Sequence, residues 1–272
     1  MTSINQTLYI PLYGKAYVSK RALFLRDPKA EEIWDKEQFP LKGKAKSKWL
    51  AYYMGIRSAV FDDWVREKLN EAEDSVVIHI GCGMDSRALR VSGAYAMWYD
   101  VDFSEVIGER RRYYEENDRY RMLSGDACDP VWLSDIPQKG KVIVVMEGVS
   151  MYLAPASLKK LFEAICAHFE EVSLLTDCYT VLAAKLSKYK NPINDVGVKS
   201  VYGTDDPCYP QAGGLFYLGE RDMTPLRYID ELRGTEKRIF RKLYAGAFAK
   251  KLYRLYEYEK KCFSRNVENG EK

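Results

Sequence analysis

The sequence predicts an α/β protein with a mainly parallel sheet covered by helices on both faces, preceded by a long helical segment. Three observations carry this prediction. Short apolar runs at 76–80, 96–99, 120–123, 141–146 and 172–178 alternate with helix-compatible stretches, and strands that alternate with helices at this spacing pair in parallel. The first four of these runs each lead into a glycine or a carboxylate. Finally, about seventy residues of helical character precede the first strand, more than a minimal nucleotide-binding fold requires.

Taken in order, residues 9–25 have helix-compatible apolar spacing despite Pro11. Asp27-Pro28 has the form of an N-cap followed by proline in the first helical position. Pro40, Gly43 and a lysine-rich run mark a loop, and residues 49–69 then place apolar side chains close to a 3.6-residue period. Residues 1–70 are therefore expected to form a helical cap or lid on a domain spanning 71–265. In that domain, helices are expected at 85–91, 103–117 and 155–169. Residues 188–214 are rich in turn dipeptides and read as a loop, expected to shape a pocket with Tyr189, Tyr202 and Tyr209 as aromatic walls. Late strand or helix material is expected at 215–218, 238–243 and 248–258, and a frayed tail at 266–272.

Composition narrows the function classes. Of 272 residues, 47% are hydrophobic, enough for a sizeable core, and 42 basic residues nearly balance 39 acidic ones. A net charge of +3 gives no reason to expect a nucleic-acid partner. Six cysteines lack C-x-x-C spacing and the two histidines, His79 and His168, stand far apart, so no metal site is expected. No apolar run reaches the length of a membrane span and no leader pattern opens the chain. These features lead to the expectation of a cytoplasmic enzyme with no membrane partner.

The strand ends concentrate the chemistry. The first strand ends in Gly81-Cys82-Gly83, the second in Asp100-Val101-Asp102, the third leads to Gly125-Asp126-Ala127, and the fourth ends in Glu147-Gly148. Ligands of open α/β sheets bind outside the carboxyl ends of the strands, so these groups should converge on one crevice. Taken singly, each acid would suit a helix cap or a solvated turn; four in succession at one structural position favour a site. Glycine lets a backbone approach a ligand, and a strand-tip acid accepts hydrogen bonds from ribose hydroxyls. The third glycine of G-x-G-x-x-G is replaced by Ser86. A pyrophosphate-bearing dinucleotide such as NAD is therefore disfavoured relative to S-adenosylmethionine.

The segments G-C-G-M-D-S-R-A-L-R, Y-D-V-D-F-S-E-V-I, G-D-A-C-D and M-E-G-V-S-M-Y-L, in that order, resemble the leucine carboxyl methyltransferase family. That family includes enzymes that methylate the C-terminal carboxylate of a protein phosphatase, and bacterial and fungal O-methyltransferases of polyketide and other small-molecule pathways. The resemblance implies a class I methyltransferase (Rossmann-like) fold using S-adenosylmethionine and releasing S-adenosylhomocysteine. It places the Gly81-Cys82-Gly83 turn beside the cofactor's methionine part, Asp102 on the ribose with Asp100 beside it, and Asp126 and Ala127 at the adenine end. It sets Glu147 near the amino group or transferred methyl. Arg57, with Lys15 as a second cation, falls on the cofactor carboxylate, where a planar guanidinium pairs well. Tyr152 would face the transferred methyl.

The reaction implied is attack of an acceptor oxygen on a sulfonium methyl. A carboxylate acceptor needs no base at neutral pH, whereas an alcohol or phenol does. Neither histidine is placed as one, which favours a carboxylate acceptor or catalysis by proximity. The acceptor is expected to be a small molecule, since no peptide-binding insertion is evident. A protein carboxyl methyltransferase and a non-catalytic nucleoside-binding module are the alternatives. Oligomeric state is not legible in the sequence.

Overall fold

Strand order, more than strand count, decides where a ligand can sit. A computed structural model describes residues 3–37, 39, 41, 43–190 and 200–261. Its seven strands are β1 (Val76–Ile80), β2 (Met97–Asp102), β3 (Tyr120–Ser124), β4 (Lys141–Met146), β5 (Glu171–Tyr179), β6 (Phe216–Arg221) and β7 (Tyr253–Lys260). They lie in the order β3-β2-β1-β4-β5-β7-β6. The first five strands are parallel, and β7 runs antiparallel to both β5 and β6. β1 is flanked by β2 on one side and β4 on the other, so the order reverses there and a crevice opens at its carboxyl end.

The sheet is dry on both faces. Val77, Ile143, Val145, Leu175 and Leu255 point into one core, and Ile78, Val142, Val144, Leu174 and Tyr256 into the other, as the two-residue side-chain period of a strand demands. The first core is shared with the helices preceding the sheet: α1 (Ser3–Ser19), α2 (Pro28–Glu37) and α3 (Lys48–Glu71). Phe61 and Trp64 of α3 are fully buried beside Val77 and Leu12. Asp27 caps α2 by accepting from the Ala30 N–H at 2.9 Å, as Asp27-Pro28 predicts.

Two helices end earlier than their apolar periods suggest. α1 stops at Ser19 rather than Leu25 because Ala22 and Phe24 take positive φ angles of 53° and 61°, a region non-glycine residues seldom enter. The kink is held by the Phe24 N–H, which donates to Glu231 at 2.6 Å. After the short helix α4 (Arg87–Arg90), α5 covers only Ser104–Arg110. Its last residue turns its guanidinium inward to Asp100 and Tyr120, and the polar residues up to Asn117 form turns.

Beyond β4 come α6 (Pro155–His168), α7 (Val181–Lys190), α8 (Leu226–Ile229) and α9 (Gly234–Leu243). The late strand material resolves into β6 and β7, with a register shift between Tyr217 and Gly219. Residues 191–199, the tail 266–272 and the Tyr189 side chain lie outside what is described.

Candidate active site

A cavity of about 880 Å³ opens at the carboxyl ends of β1, β2 and β4, within the size range of small-molecule sites. Gly81, Cys82, Gly83, Asp102, Asp126, Ala127, Glu147, Tyr152, Arg57 and Lys15 all line it. Asp100, also expected there, does not.

The turn after β1 is shaped by its glycines. Gly81 has φ +67°, and a Cβ there would lie 2.3 Å from the Val149 side chain; Gly83 has φ +51° and faces Leu8 at 3.1 Å. The Gly83 N–H donates to Asp102 Oδ2 at 2.8 Å, and the Phe103 N–H donates to Oδ1 at 2.8 Å. Burial pushes the Asp102 carboxyl above its ordinary range despite these two bonds. No cation among the described residues pairs with it, which leaves oxygen lone pairs for a ligand at the cavity wall.

Asp100 has a different task. Its carboxylate accepts from Trp98 Nε1 at 2.9 Å and Tyr120 OH at 2.7 Å, and pairs with Arg110. Burial opposes its ionisation, but Arg110 and His79 outweigh that and hold it down to about 2. Arg110 in turn donates to the Gly83 carbonyl at 2.8 Å. Asp100 therefore reaches the cavity only by bracing the turn.

At the centre lies a buried ionic network. Arg57 Nε donates to Glu147 at 2.9 Å, and its Nη1 donates to Tyr253 OH at 2.9 Å and Asp177 at 3.3 Å. Arg87 bonds Asp62 at 2.7 Å and pairs with Glu147. Lys15 on α1 reaches Asp85 at 3.0 Å, and Arg90 joins Asp27, Asp62 and Asp85. Burial works against the charge of Glu147, yet Arg57 and Arg87 lower its carboxyl to about 2. Asp177 goes the other way: burial outweighs Arg57, Tyr253 and the Gly148 N–H, and raises it. Lys15, Arg57, Arg87 and Arg90 thus face Asp27, Asp62, Asp85, Glu147 and Asp177, one carboxylate in excess.

Sequence reasoning overlooked Arg87, Asp85, Asp177 and Tyr253. Asp85 and Arg87 stand inside the G-C-G-M-D-S-R-A-L-R segment itself, and charged residues directly after a buried glycine turn were the available signal. Asp177 and Tyr253 join Arg57 from 120 and 196 residues away, a pairing no local pattern announces. His79, which the sequence does not place as a base, is buried within β1. Arg87 Nη1 lies 3.2 Å from Nε2, which is the acceptor because a guanidinium only donates; Nδ1 lies 3.3 Å from Asp100 but makes no hydrogen bond among the described residues.

The far half of the cavity is apolar. Leu50, Tyr53 and Met54 come from α3, Ala183 and Leu186 from α7, and Leu243, Phe248 and Leu252 from the end of α9 and the connection to β7. Tyr202 and Tyr209, expected as walls, do not line it: the Tyr202 N–H is spent on the Met151 carbonyl at 2.8 Å, and both rings face solvent. Of the described loop residues only Ser200 reaches the cavity. Tyr152 is 36% exposed, and burial of its hydroxyl end raises its pKa.

Comparison with known proteins bears on this arrangement. The profile described as leucine carboxyl methyltransferase matches residues 13–166. The tetracenomycin polyketide synthesis O-methyltransferase TcmP of Streptomyces glaucescens is 26% identical over 241 residues, covering 87% of this chain and 89% of that protein. The S-adenosyl-L-methionine-dependent methyltransferase dpfgK of Gibberella zeae is 29% identical over 147 residues, 49% of each chain. Among solved structures, a candidate methyltransferase from Thermobifida fusca matches with a TM-score of 0.55 at 14% identity, covering 91% of this chain and 94% of the other. Likeness at that identity speaks to the fold alone.

Proposed function

This chain belongs to the leucine carboxyl methyltransferase family, and from that premise we propose that it methylates an oxygen of a small, apolar acceptor. The fold is that of the class I methyltransferases, and the cofactor is S-adenosylmethionine. The residues fit that group. Two glycines stand where a Cβ would intrude, and a carboxylate with no cation partner among the described residues stands at the tip of β2. The ionisable side chains that line the cavity, Lys15 and Arg57 against Asp85, Asp102, Asp126 and Glu147, leave a negative excess facing a ligand with a sulfonium and an ammonium.

Bound there, S-adenosylmethionine supplies a methyl group on positively charged sulfur. Asp102 accepts hydroxyl hydrogen bonds, the Gly81-Cys82-Gly83 backbone gives close approach, and Asp126 and Ala127 flank the adenine end. Glu147 and Arg57, each locked by the other at 2.9 Å, hold their charges at fixed points, with Lys15 beside them. Holding two reactants in line accounts for much of such an acceleration. The raised pKa makes Tyr152 a hydrogen-bond donor rather than a base, and His79 is buried with its Nε2 committed to Arg87. An acceptor oxygen already ionised, as in a carboxylate, suits such a site.

The observation that carries this reading is the make-up of the cavity wall, in which glycines and charges at the carboxyl ends of the strands meet Leu50, Met54, Leu186 and Phe248 from the helices and the α9–β7 connection. The polyketide role of TcmP points to the same acceptor class. Calorimetry tests the cofactor half: S-adenosylmethionine and S-adenosylhomocysteine should bind and NAD should not. Methyl transfer to a panel of apolar carboxylic acids and phenols, set against a phosphatase C-terminal peptide, tests the acceptor half. Transfer to the peptide alone would reverse it.

A further inference from the structure

The rim of the apolar half carries an unusual surface. Along α9, Phe240 is buried and Tyr244, just past its end, stacks on Trp49, which turns Ile239 and Leu243 outward at 40% and 61% exposure. Arg238, Arg241 and Lys242 are exposed beside them, with no carboxylate partner among the described residues. The following turn presents Phe248 at 63% exposure and an exposed Lys251. Across the opening, α7 presents Leu182, Leu186 and an exposed Lys185, and neither lysine has a carboxylate partner among the described residues. The two sides are joined, since the Thr180 N–H donates to the Leu252 carbonyl at 3.1 Å and its hydroxyl to the Lys251 carbonyl at 2.8 Å. Nearby acids are already engaged: Glu236 with Lys48, Asp230 with Lys237 and Asp222 with Lys250.

We propose that this rim docks on an anionic lipid surface, so that the mouth of the cavity meets the membrane interface and an apolar acceptor enters from the lipid. The second clause rests on the methyltransferase reading; the docking itself does not. Apolar side chains interleaved with Lys and Arg suit the boundary between acyl chains and headgroups, where each finds its own solvent. The cations complement anionic headgroups. A second copy of the chain is a poor occupant, because a two-fold contact through this patch would set its cations against themselves. A phosphate track on nucleic acid leaves Leu243 and Phe248 in water. Because Leu186, Leu243 and Phe248 line the cavity as well as the surface, an acceptor passing from lipid to site stays in apolar surroundings. The earlier expectation of no membrane partner rested on spanning segments. No described helix is long and apolar enough to cross a membrane, and interfacial docking needs none.

Co-sedimentation of the full chain with phosphatidylcholine vesicles, and with vesicles in which about a third of the lipid is phosphatidylglycerol, is the test. The chain should bind the mixed vesicles, bind the neutral ones far less, and release as salt rises. The triple variant Arg238→Glu, Arg241→Glu, Lys242→Glu should lose about 100-fold in vesicle affinity, roughly fivefold for each cation removed. Its S-adenosylmethionine affinity by calorimetry should stay unchanged, which shows that it is folded. Phe248→Ala with Leu243→Ala should weaken vesicle binding while leaving its salt dependence. Absence of binding to mixed vesicles, or binding indifferent to the triple variant, overturns the proposal. So does retention on polyglutamate in place of vesicles, which would assign the rim to an acidic protein. If the unsubstituted chain binds S-adenosylmethionine but not the mixed vesicles, only the docking falls; if it binds the vesicles but not S-adenosylmethionine, only the methyltransferase reading falls.

Discussion

Glu147 is the residue whose ionisation the site can least do without. Its depressed carboxyl contributes stability that is fully present above the ordinary carboxyl value and fades as pH falls through about 2. Glu147→Gln takes one carboxylate from both Arg57 and Arg87, which keep Asp177 and Asp62, and the loss of these charge-assisted bonds should cost about 1.5–3 kcal/mol at neutral pH. The gap between variant and wild type should narrow steadily below about pH 4. Urea melts at a series of pH values measure it, and a gap constant down to pH 3 would show that the carboxylate is not held by those cations. Asp102 and Asp177 are raised by burial, so they oppose this trend and favour the folded state on protonation. Arg57→Ala should weaken cofactor binding, but it also leaves Glu147 with Arg87 alone and takes away the cation beside Asp177. Its calorimetry must therefore be read against its melting curve, and a loss of affinity with Tm unchanged is the outcome that isolates a cofactor contact. Arg57 was legible as a candidate only through the family resemblance. Its buried partners were not, because they arrive from β5 and β7.

At the scale of elements, the segment from β1 through its glycine turn to α4 was legible almost residue by residue. A buried strand, a glycine turn and a strand-tip acid each have a local pattern. Gly81→Ala should destabilise by about 2–4 kcal/mol, combining a left-handed backbone with a clash on Val149. Adding Val149→Ala should recover the steric part and leave the conformational part. If the single variant is as stable as wild type in urea, the turn is not held as described. The apolar wall of the cavity was legible only as an expectation of aromatic loops, and of the described loop residues only Ser200 lines it. Turn dipeptides mark where a chain is irregular, not which way its rings face. The wall instead comes from α3, α7 and the α9–β7 connection. Phe248→Ala should accordingly raise the acceptor KM several-fold with cofactor affinity unchanged, whereas Tyr202→Ala should leave both alone. The reverse result in steady-state kinetics would move the acceptor to the loop.

For the molecule as a whole, fold class followed from alternation of strand and helix, and the parallel half of the sheet from the same signal. The antiparallel β6–β7 pair was obscured by bulged, half-exposed strands such as Phe216–Arg221, whose side chains alternate between solvent and partial burial. The division into a helical cap and a sheet domain meets a core that runs without interruption from Leu12 through Trp64 to Leu255. Thermal unfolding followed by tryptophan fluorescence and by far-ultraviolet dichroism should therefore trace one transition. Non-coincident curves would mean that residues 1–70 melt separately.

The single carboxylate in excess within the buried network has a bearing on turnover. S-adenosylmethionine carries one more positive charge than the S-adenosylhomocysteine it leaves behind, so a negatively biased pocket grips what enters more firmly than what must depart. Calorimetry should therefore show S-adenosylhomocysteine bound more weakly than S-adenosylmethionine, and equal affinities would show that the charge bias does not act on the ligand.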